Sequence, residues 1–347
     1  MDRRELLARG AQAAAFAVVS RALTRFSPRP VASDLMSPRL DAHAHLMSRE
    51  LATWFQDRIG DRSLHGLVRP INGRIVVDQL EEDGIERAFA LSTAYIHATE
   101  LGFGGGRKSA RDEYRDVQNE NTFTAGEAAE FGGKLIAFGS VNPKRDYAVD
   151  ELVRCVETLH MRGFKVHFAH SDVRLRDQTH LGRVRALFEA AAARNIPIVT
   201  HLFNGAVADF GAPDAEIFVR DLVEPLPDLR VVIAHVGGDG GSEENGALRI
   251  FAALVAAVAR RPAVAARVWV DLSGVLVSDP WPPLPLTTPA QQARLGELIK
   301  PWGVEQVLWG SDVGAAALTQ ARPLWPLGRA EWETLANHDG STLWRRV

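Results

Sequence analysis

Short apolar runs alternate with amphipathic stretches from Arg39 to the end of the chain. Eight of these runs have the length and residue types of buried β-strands. They lie at residues 39–46, 87–94, 135–143, 163–169, 197–202, 230–237, 267–274 and 306–314. Apolar residues at helical spacing lie between them, with candidate helices at residues 149–161, 181–194, 214–223, 247–259 and 289–299.

This alternation is typical of βαβ units and therefore of a parallel sheet. Eight units in roughly 310 residues predict an α/β fold of the closed (β/α)8, or TIM-type, barrel, and the pattern alone also fits an open doubly wound sheet. Neither a second composition block nor an internal repeat divides this region, so we predict one domain over residues 35–347.

Two long connections follow the first two strands, at residues 47–71 and in the glycine-rich segment 102–111. In a barrel, such connections stand over the mouth of the active site. The glycine spacing of the second segment matches neither a dinucleotide fingerprint nor a Walker loop. It is therefore either a mobile lid or a plain flexible loop.

The first 34 residues differ from the rest of the chain. Three arginines among the first nine residues precede a short apolar segment at 11–19 and a polar stretch that contains proline. This order is typical of an export signal rather than a membrane anchor. The pair Arg3–Arg4 resembles a twin-arginine signal, although Asp2 stands where such signals usually carry Ser or Thr. We therefore predict an export signal and linker and a periplasmic or secreted protein; an N-terminal helix packed on the domain, in a cytoplasmic protein, is the alternative.

Composition narrows the class of protein further. Hydrophobic residues make up 46% of the chain and charged residues 24%, which excludes disordered and fibrous classes. The net charge of −3 gives no positive electrostatic field that would attract a phosphate backbone, so we expect no nucleic-acid partner. The single cysteine, Cys155, excludes an internal disulfide and a CxxC zinc knuckle. No apolar run approaches the roughly 20 residues that span a bilayer, so we expect no stable membrane insertion. The expected partner is a small-molecule substrate, and a homo-oligomer is left open.

The candidate chemistry lies at the ends of the predicted strands. The first strand ends in the sequence DAHAH, and alternate residues of a strand share a face. We therefore expect His43 and His45 to point inward with Asp41 below them. The residues expected to face the helices are Leu40, Ala42 and Ala44. Two imidazoles on one face suit zinc and related divalent ions.

Three more strands end in residues of the same kind. His201 ends the fifth, His235 the sixth and Asp312 the eighth. A lone histidine there is more often a hydrogen-bonded structural residue, and a lone aspartate is more often a helix cap. The joint pattern over four strands instead indicates an active site at the carboxyl edge of the barrel. Asp271, at the end of the seventh strand, either supports this site or is an ordinary turn residue.

This ordered set resembles the amidohydrolase superfamily, in the amidohydrolase-related branch that includes aminocarboxymuconate-semialdehyde decarboxylase-like enzymes. The resemblance extends from Leu40 to Gly314 and implies a distorted (β/α)8 barrel with one or two divalent metal ions. By position, it implies that the metal ligands are His43, His45, His201 and Asp312. It also implies that His235 is either a ligand of a second metal or a catalytic histidine.

The number of metal ions depends on the fourth strand, where Lys165 and His167 are predicted to face inward. Binuclear members of the superfamily carry a carboxylated lysine on this strand, which bridges two metals. The rival interpretation is one metal, with Lys165 binding a substrate carboxylate as a point charge and His167 lining the pocket. We favour the site with one metal because this branch usually has it.

The ligand set predicts a metal-dependent hydrolase. A divalent ion, with zinc expected, lowers the pKa of bound water from 15.7 toward about 7. Asp312 would take the proton of that water and pass it to the leaving group, while His235 polarises the carbonyl oxygen or orients the nucleophile. The expected reaction cleaves an amide, ester or lactone of a small molecule. The alternatives are a non-hydrolytic decarboxylase on the same ligands and an exported barrel that binds a small molecule without turnover.

Overall fold

All eight predicted strands are present, and they form one parallel sheet in chain order. The computed structural model describes residues 35–59, 68–101, 108–241, 246–278, 285–312 and 316–344. The strands are β1 (Leu40–Leu46), β2 (Arg87–Ser92), β3 (Leu135–Ser140), β4 (Gly163–His167), β5 (Ile198–His201), β6 (Val231–Ile233), β7 (Val268–Asp271) and β8 (Val307–Leu308). The helices are α1 (Arg49–Gln56), α2 (Gly73–Asp83), α3 (Ala110–Glu130), α4 (Ala148–Glu157), α5 (Gln178–Ala193), α6 (Ala212–Ile217), α7 (Ala247–Ala259), α8 (Pro262–Ala265), α9 (Pro289–Trp302), α10 (Ala316–Ala321) and α11 (Arg329–Ala336).

Hydrogen bonds between the first and last strands nearly close the sheet into a barrel. The main-chain N–H of Ala42 donates to the carbonyl of Trp309 at 2.8 Å. The N–H of Asp312 donates to the carbonyl of His43 at 2.7 Å, and Ala44 and Asp312 form a parallel bridge. The predicted (β/α)8 barrel is therefore confirmed, and the open doubly wound sheet is wrong.

Most strands are shorter than their apolar runs. The second run was predicted to reach residue 94 and the sixth to reach residue 237. In the structure the chain turns into 3₁₀ helices there, at Ala94–Ala98 and Ala234–Gly237. These turns are as buried as the strands, so hydrophobicity alone does not mark where each strand ends.

Apolar side chains fill the barrel on both sides of the sheet. Seven of the eight strands contribute to an inner cluster, which Leu343 joins from the C-terminal 3₁₀ helix. The inner residues are Leu40, Ala42, Phe89, Leu91, Phe138, Val199, Val232, Trp269 and Leu308. A larger outer cluster joins the opposite faces of the strands to the helices. The polar residues at the strand ends therefore stand on a packed apolar layer.

The predicted facing of β1 is wrong at its start. Leu40 and Ala42 belong to the inner cluster, whereas Ala44 packs outward against the helices as predicted. The pairing register with β2 shifts between Asp41 and Ala44, which is a β-bulge. A bulge adds one residue to one strand and reverses the alternation beyond it. His43 and Ala42 are therefore both directed toward the interior side.

The long connection after β1 contains a helix that the sequence analysis did not predict, α1. Ser48 caps it by accepting a hydrogen bond from Leu51 N at 3.1 Å. Glu120 of α3 accepts bonds from the main-chain N–H of Ser48 at 2.9 Å and from its hydroxyl at 2.5 Å. One buried carboxyl group thus joins the start of α1 to α3.

Two predictions fall on residues that the structure does not describe. The export signal was assigned to residues 1–34, and six residues of the glycine-rich segment, 102–107, are also outside the described ranges. Both interpretations therefore stay predictions. In the described part of the chain, none of the helices has the length and apolar character needed to cross a membrane.

Candidate active site

Three ligand-type atoms meet where β1 and β8 end. Nε2 of His43 lies 3.2 Å from Nε2 of His45. One oxygen of Asp312, Oδ1, lies 3.4 Å from the first of these nitrogens and 3.3 Å from the second. We call His43, His45 and Asp312 the triad. It brings together three of the four residues predicted as metal ligands.

The closing hydrogen bonds of the barrel place Asp312 in the triad. Its N–H is bound to the carbonyl of His43, and its own backbone is left-handed, with φ +59°. Gly310 allows this close approach, because a Cβ at position 310 would lie 2.8 Å from Cβ of His43 and 3.0 Å from Cβ of Ser273. A side chain at position 310 would therefore push β8 away from the triad.

The other side of the His43 ring faces the end of β7. Nδ1 of His43 lies 2.9 Å from Oδ2 of Asp271, and both side chains are fully buried. The hydroxyl of Ser273 lies 3.1 Å from the same nitrogen and 2.9 Å from Nδ1 of His235. Asp271, which the sequence left open between two roles, therefore contacts a predicted metal ligand directly. Its carboxylate also forms a second group of ligand-type atoms with His43 and His235.

Lys165 is buried beside the triad. Its ammonium nitrogen lies 3.1 Å from Nε2 of His43, on the inner side of β4 as predicted. Burial lowers the pKa of Lys165 to about 8, against the opposing charges of Asp271 and Asp312. His167 faces inward on the same strand, also as predicted. Lys165 therefore places a cationic group at the site.

His201 stands on a different wall from the triad. Its ring stacks on that of His167, with centroids 3.8 Å apart, and its centroid lies 5.1 Å from that of His235. Its ligand atoms are not within 4.8 Å of all members of the triad. Nε2 of His201 instead lies 3.1 Å from the carboxylate of Asp239 without hydrogen-bond geometry. His201 is therefore outside the triad, and His235 lies between them.

The wall that carries His201 continues as a series of rings. Tyr95 lies 5.0 Å from His167 and 5.3 Å from His170, and His170 lies 4.6 Å from His167, all between ring centroids. Burial raises the pKa of Tyr95 well above its usual value, and the charge of Asp312 adds to this effect. We call Tyr95, His167, His170 and His201 the ring wall.

Burial keeps most of these histidines neutral. It lowers the pKa of His43, His167 and His201 well below its usual value, and that of His170 to about 3. Burial would raise the pKa of Asp312, but His235, His45 and His43 outweigh it and hold that pKa below its usual range. The triad therefore offers imidazole lone pairs and an ionised carboxylate, a donor set that suits a divalent cation.

Sequence reasoning missed several residues of the site. Asp239 follows β6 in the segment GGDGG, and burial raises the pKa of its carboxyl group to about 7. Ser273 lies two residues beyond Asp271, and His170 three residues beyond His167. The only signal for them was their position just after strands that carry predicted site residues.

One comparison with known proteins identifies a family. A model of the amidohydrolase family matches residues 40–339. None of the curated protein sequences compared with the chain matches it.

Several solved structures share the fold. The 5-carboxyvanillate decarboxylase LigW from Sphingomonas paucimobilis is 14% identical, with a TM-score of 0.61 over 90% of this chain and 100% of that one. A dihydroxybenzoic acid decarboxylase from Polaromonas, with bound manganese and 2-nitroresorcinol, is 15% identical, with a TM-score of 0.58 over 89% and 97%. A putative 2-pyrone-4,6-dicarboxylic acid hydrolase from Pseudomonas putida is 18% identical, with a TM-score of 0.53 over 90% and 98%.

Proposed function

The chain belongs to the amidohydrolase family, and from that premise we propose that it is a metal-dependent decarboxylase of a small aromatic carboxylic acid. Two of the similar structures are named as decarboxylases of aromatic acids. The sequence analysis favoured hydrolysis and kept decarboxylation as an alternative. Decarboxylation accounts better for the charges of the site.

The buried charge of Lys165 is the observation that carries this proposal. Lys165 is 1% exposed as a residue, and its ammonium nitrogen contacts the ring of His43. Within the described residues it forms no ion pair with a carboxylate, and a buried ammonium without one is costly. A substrate carboxylate held there would compensate the charge. Lys165 is therefore our proposed binding group for the carboxylate that leaves as CO₂.

The ring wall supports a flat substrate. Stacked His167 and His201, with Tyr95 beside them, present aromatic faces and edges next to the triad. Aromatic pairs prefer such offset or edge-to-face arrangements and gain about 0.5–1.5 kcal/mol beyond their burial. An aromatic acid would lie against this wall with its carboxylate toward Lys165.

We propose that the triad holds one divalent cation. The competing group of His43, His235 and Asp271 is occupied by hydrogen bonds, because Nδ1 of His235 donates to the carbonyl of Ser273 at 2.8 Å. In the triad the contacts run between the ligand-type atoms themselves, including a hydrogen bond between His45 and Asp312, and an ion would replace them. Two imidazoles and a carboxylate bind either zinc or manganese, so this donor set does not select the zinc ion that the sequence analysis expected. The ion, when bound, supplies a Lewis acid that polarises a substrate oxygen.

His201 and His235 are the remaining predicted ligands. His201 would reach the ion only from the ring wall. His235 is bound through Nδ1 to the main chain, so only its other nitrogen faces a substrate. We therefore propose His235 as a catalytic residue and His201 as an auxiliary ligand. Carboxylation of Lys165 would instead let it bridge to a second ion.

The chemistry requires one proton. When the bond to the carboxylate carbon breaks, its electron pair stays on the ring carbon and CO₂ departs. That carbon must then take a proton, and we assign its delivery to Asp312. Because Asp312 is ionised, its carboxylate must first take this proton from solvent water and then pass it to the ring carbon.

The proposal is tested with purified protein stripped by a chelator and reloaded with manganese or zinc. The substrates are 5-carboxyvanillate, 2,6-dihydroxybenzoate and their methyl esters, and the measurement is release of CO₂. We expect CO₂ from at least one free acid and none from its ester, which lacks the anionic carboxylate. Metal-dependent hydrolysis of an ester or lactone, with no CO₂ from any acid tested, would contradict the proposal.

Hydrolysis of a lactone, ester or amide is the second candidate. It is favoured by the ionised state of Asp312 beside two imidazole nitrogens, because an ionised carboxylate is ready to accept a proton from water. 2-Pyrone-4,6-dicarboxylate, assayed with the same metal-loaded protein, distinguishes this reaction by ring opening without loss of CO₂.

We also propose export through the twin-arginine route. The support is the order of charged, apolar and polar residues before residue 35. Changing Arg3 and Arg4 to Lys should leave the protein in the cytoplasm of the producing cell, as measured by fractionation. A mature protein that still begins at Met1 would instead favour the packed-helix alternative.

A further inference from the structure

We infer that Asp271 and the main-chain carbonyl of Ser273 fix which ring nitrogen carries the hydrogen in both His43 and His235, and that in each ring this nitrogen is Nδ1. Asp271 and Ser273 are positioning residues in this arrangement. The inference extends the proposed function to the direction of hydrogen bonds in the site, and it rests on that function only for its catalytic consequence.

The donors around Asp271 define the role of each oxygen. Oδ1 receives the main-chain N–H of His235 and that of Ser273, both at 3.1 Å, and the Ser273 hydroxyl. Main-chain N–H groups only donate, so Oδ1 is an acceptor. The second oxygen, Oδ2, faces Nδ1 of His43 at 2.9 Å. On the other side of this ring, Nε2 lies 3.1 Å from the ammonium nitrogen of Lys165, which only donates, so the ring hydrogen lies on Nδ1 and is donated to Oδ2.

The ring of His235 is fixed by a different acceptor. Its Nδ1 lies 2.8 Å from the carbonyl oxygen of Ser273, and a carbonyl only accepts. The hydrogen therefore resides on Nδ1 of His235 as well. The left-handed backbone of His235, with φ +53°, accompanies the bond from its N–H to Asp271. Asp271 thus holds the backbone of one histidine and the ring of the other.

The hydroxyl of Ser273 agrees with both assignments. It has one hydrogen, which it gives to Oδ1 of Asp271. Its oxygen is then left to share the Nδ1 hydrogen of His43, at 3.1 Å, with Asp271, and the Nδ1 hydrogen of His235, at 2.9 Å, with the carbonyl of Ser273. All the hydrogen bonds of the cluster are satisfied only when both rings carry their hydrogen on Nδ1.

The consequence differs for the two rings. Nε2 of His43 presents its lone pair toward the triad and Lys165, and a metal ligand requires such a lone pair. Nε2 of His235 can only accept a hydrogen bond from a substrate unless it first gains a proton. The sequence analysis expected His235 to polarise a carbonyl oxygen, which requires a donor. With its hydrogen on Nδ1, the ring of His235 instead presents Nε2 to a hydroxyl group of the substrate.

Changing Asp271 to Asn tests this directly. The two main-chain N–H groups at Oδ1 require an oxygen there, so the amide nitrogen must take the position of Oδ2. It would then donate to Nδ1 of His43 and force the ring hydrogen onto Nε2, facing the triad. We expect Asp271→Asn to invert the tautomer of His43 and leave that of His235 unchanged.

Asp41 provides a matched control. It is also buried, and its Oδ1 also accepts two main-chain N–H groups, from His43 and Ser311, at 2.9 Å each. Both of these donors are main-chain groups, and neither is a histidine ring. Asp41→Asn should therefore leave the tautomer of His43 as it is. Ser273→Ala keeps both principal acceptors and should also leave both tautomers unchanged.

The measurement is the ring ¹⁵N chemical shifts of metal-free protein by NMR. The 11 histidines are assigned by single changes to Gln, and His43→Gln and His235→Gln identify the two signals required. Hydrogen on Nδ1 of both rings in the unchanged protein is the expected result, and hydrogen on Nε2 of either ring would overturn the inference. The ring shifts of the unchanged protein decide the inference without the Asp271→Asn variant, so the test holds even if that variant does not fold.

Metal affinity gives a second, independent measurement. Calorimetry should show manganese binding weakened by about tenfold to a hundredfold in Asp271→Asn but not in Asp41→Asn. Loss of a residue that hydrogen-bonds to a metal-bound histidine typically lowers metal affinity by this factor. Equal affinity of Asp271→Asn and the unchanged protein, with the tautomer inverted, would count against the role of His43 as a ligand. If the unchanged protein binds no metal, the proposed function fails, while the NMR result still decides the inference.

Discussion

The ammonium nitrogen of Lys165 lies 3.1 Å from Nε2 of His43, the same ring nitrogen that faces His45 and Asp312. A lysine in this position has two chemical roles available. It binds a substrate carboxylate as a cation, or it becomes carboxylated and bridges two metal ions. The two roles make opposite predictions for the metal content of a lysine variant.

We expect Lys165→Met to keep its metal and to bind carboxylate substrates about ten to a hundred times more weakly. The reason is the loss of a charged hydrogen bond, worth about 1.5–3 kcal/mol. The measurements are KM for the acid that releases CO₂ and metal content by elemental analysis. Lys134→Met removes an exposed lysine and serves as the control. Loss of metal in Lys165→Met, from two ions in the unchanged protein, would instead establish the bridging role.

Asp312→Asn should retain part of its metal and lose activity by about a hundredfold to ten-thousandfold, because the amide keeps one oxygen ligand but cannot carry a proton. His45→Ala should lose metal and activity together. The comparison is turnover per bound metal ion in the two variants. Normal turnover per ion in Asp312→Asn would assign the proton to another group, with His235 the next candidate.

Gly310→Ala should destabilise the protein by about 1–3 kcal/mol and weaken metal binding. The added methyl would lie 2.8 Å from Cβ of His43, which has no room to move. Gly126→Ala is the matched control. A Cβ there meets nothing within 4 Å in the middle of α3, so the change should stabilise by about 0.5–1 kcal/mol. Chemical denaturation measures both, and equal effects of the two changes would rule out the close approach at Gly310.

Stability should also depend on pH through Glu120. Burial raises the pKa of Glu120 from 4.5 to about 7 in the folded protein, against its hydrogen bonds with Ser48. Between these values the folded chain binds a proton that the unfolded chain has lost, so its contribution to stability falls as pH rises. Glu120→Gln removes this dependence.

The test is the difference in free energy of unfolding between Glu120→Gln and the unchanged protein. We expect it to shift in favour of the variant from pH 4.5 to about 7 and to level off above that. Glu130→Gln, at an exposed position of the same helix, should show no such trend. A flat difference for Glu120→Gln would mean that the carboxyl group ionises normally in the fold.

The order of the elements could be read from the sequence because each strand is a separate apolar run. The facing of Lys165 and His167 followed from simple alternation along β4, which is regular. On β1 the same rule failed for Leu40 and Ala42, because a bulge has no signal in the pattern of apolar residues. Alternation predicts side-chain direction only while the register is unbroken.

The site was less predictable than the fold, because much of it is built by turns. Asp271 could not be distinguished from a turn residue until its two oxygens were seen between four donors. Asp239 lies after β6 among glycines, and only the folded chain brings it to His201. Strand ends are marked in the sequence, whereas the paths of the turns that follow depend on tertiary packing.

The two hydrogen bonds that join Ala42 to Trp309 and His43 to Asp312 have a mechanical consequence. β8 is only two residues long, so the seam between the first and last strands is the weakest line around the barrel. The triad straddles this seam, with two members on β1 and one beyond β8. An ion bound by all three residues would link β1 to the end of β8 across this seam. In hydrogen exchange, removal of the ion should first expose the amides of Ala42 and Asp312, while those between β4 and β5 stay protected.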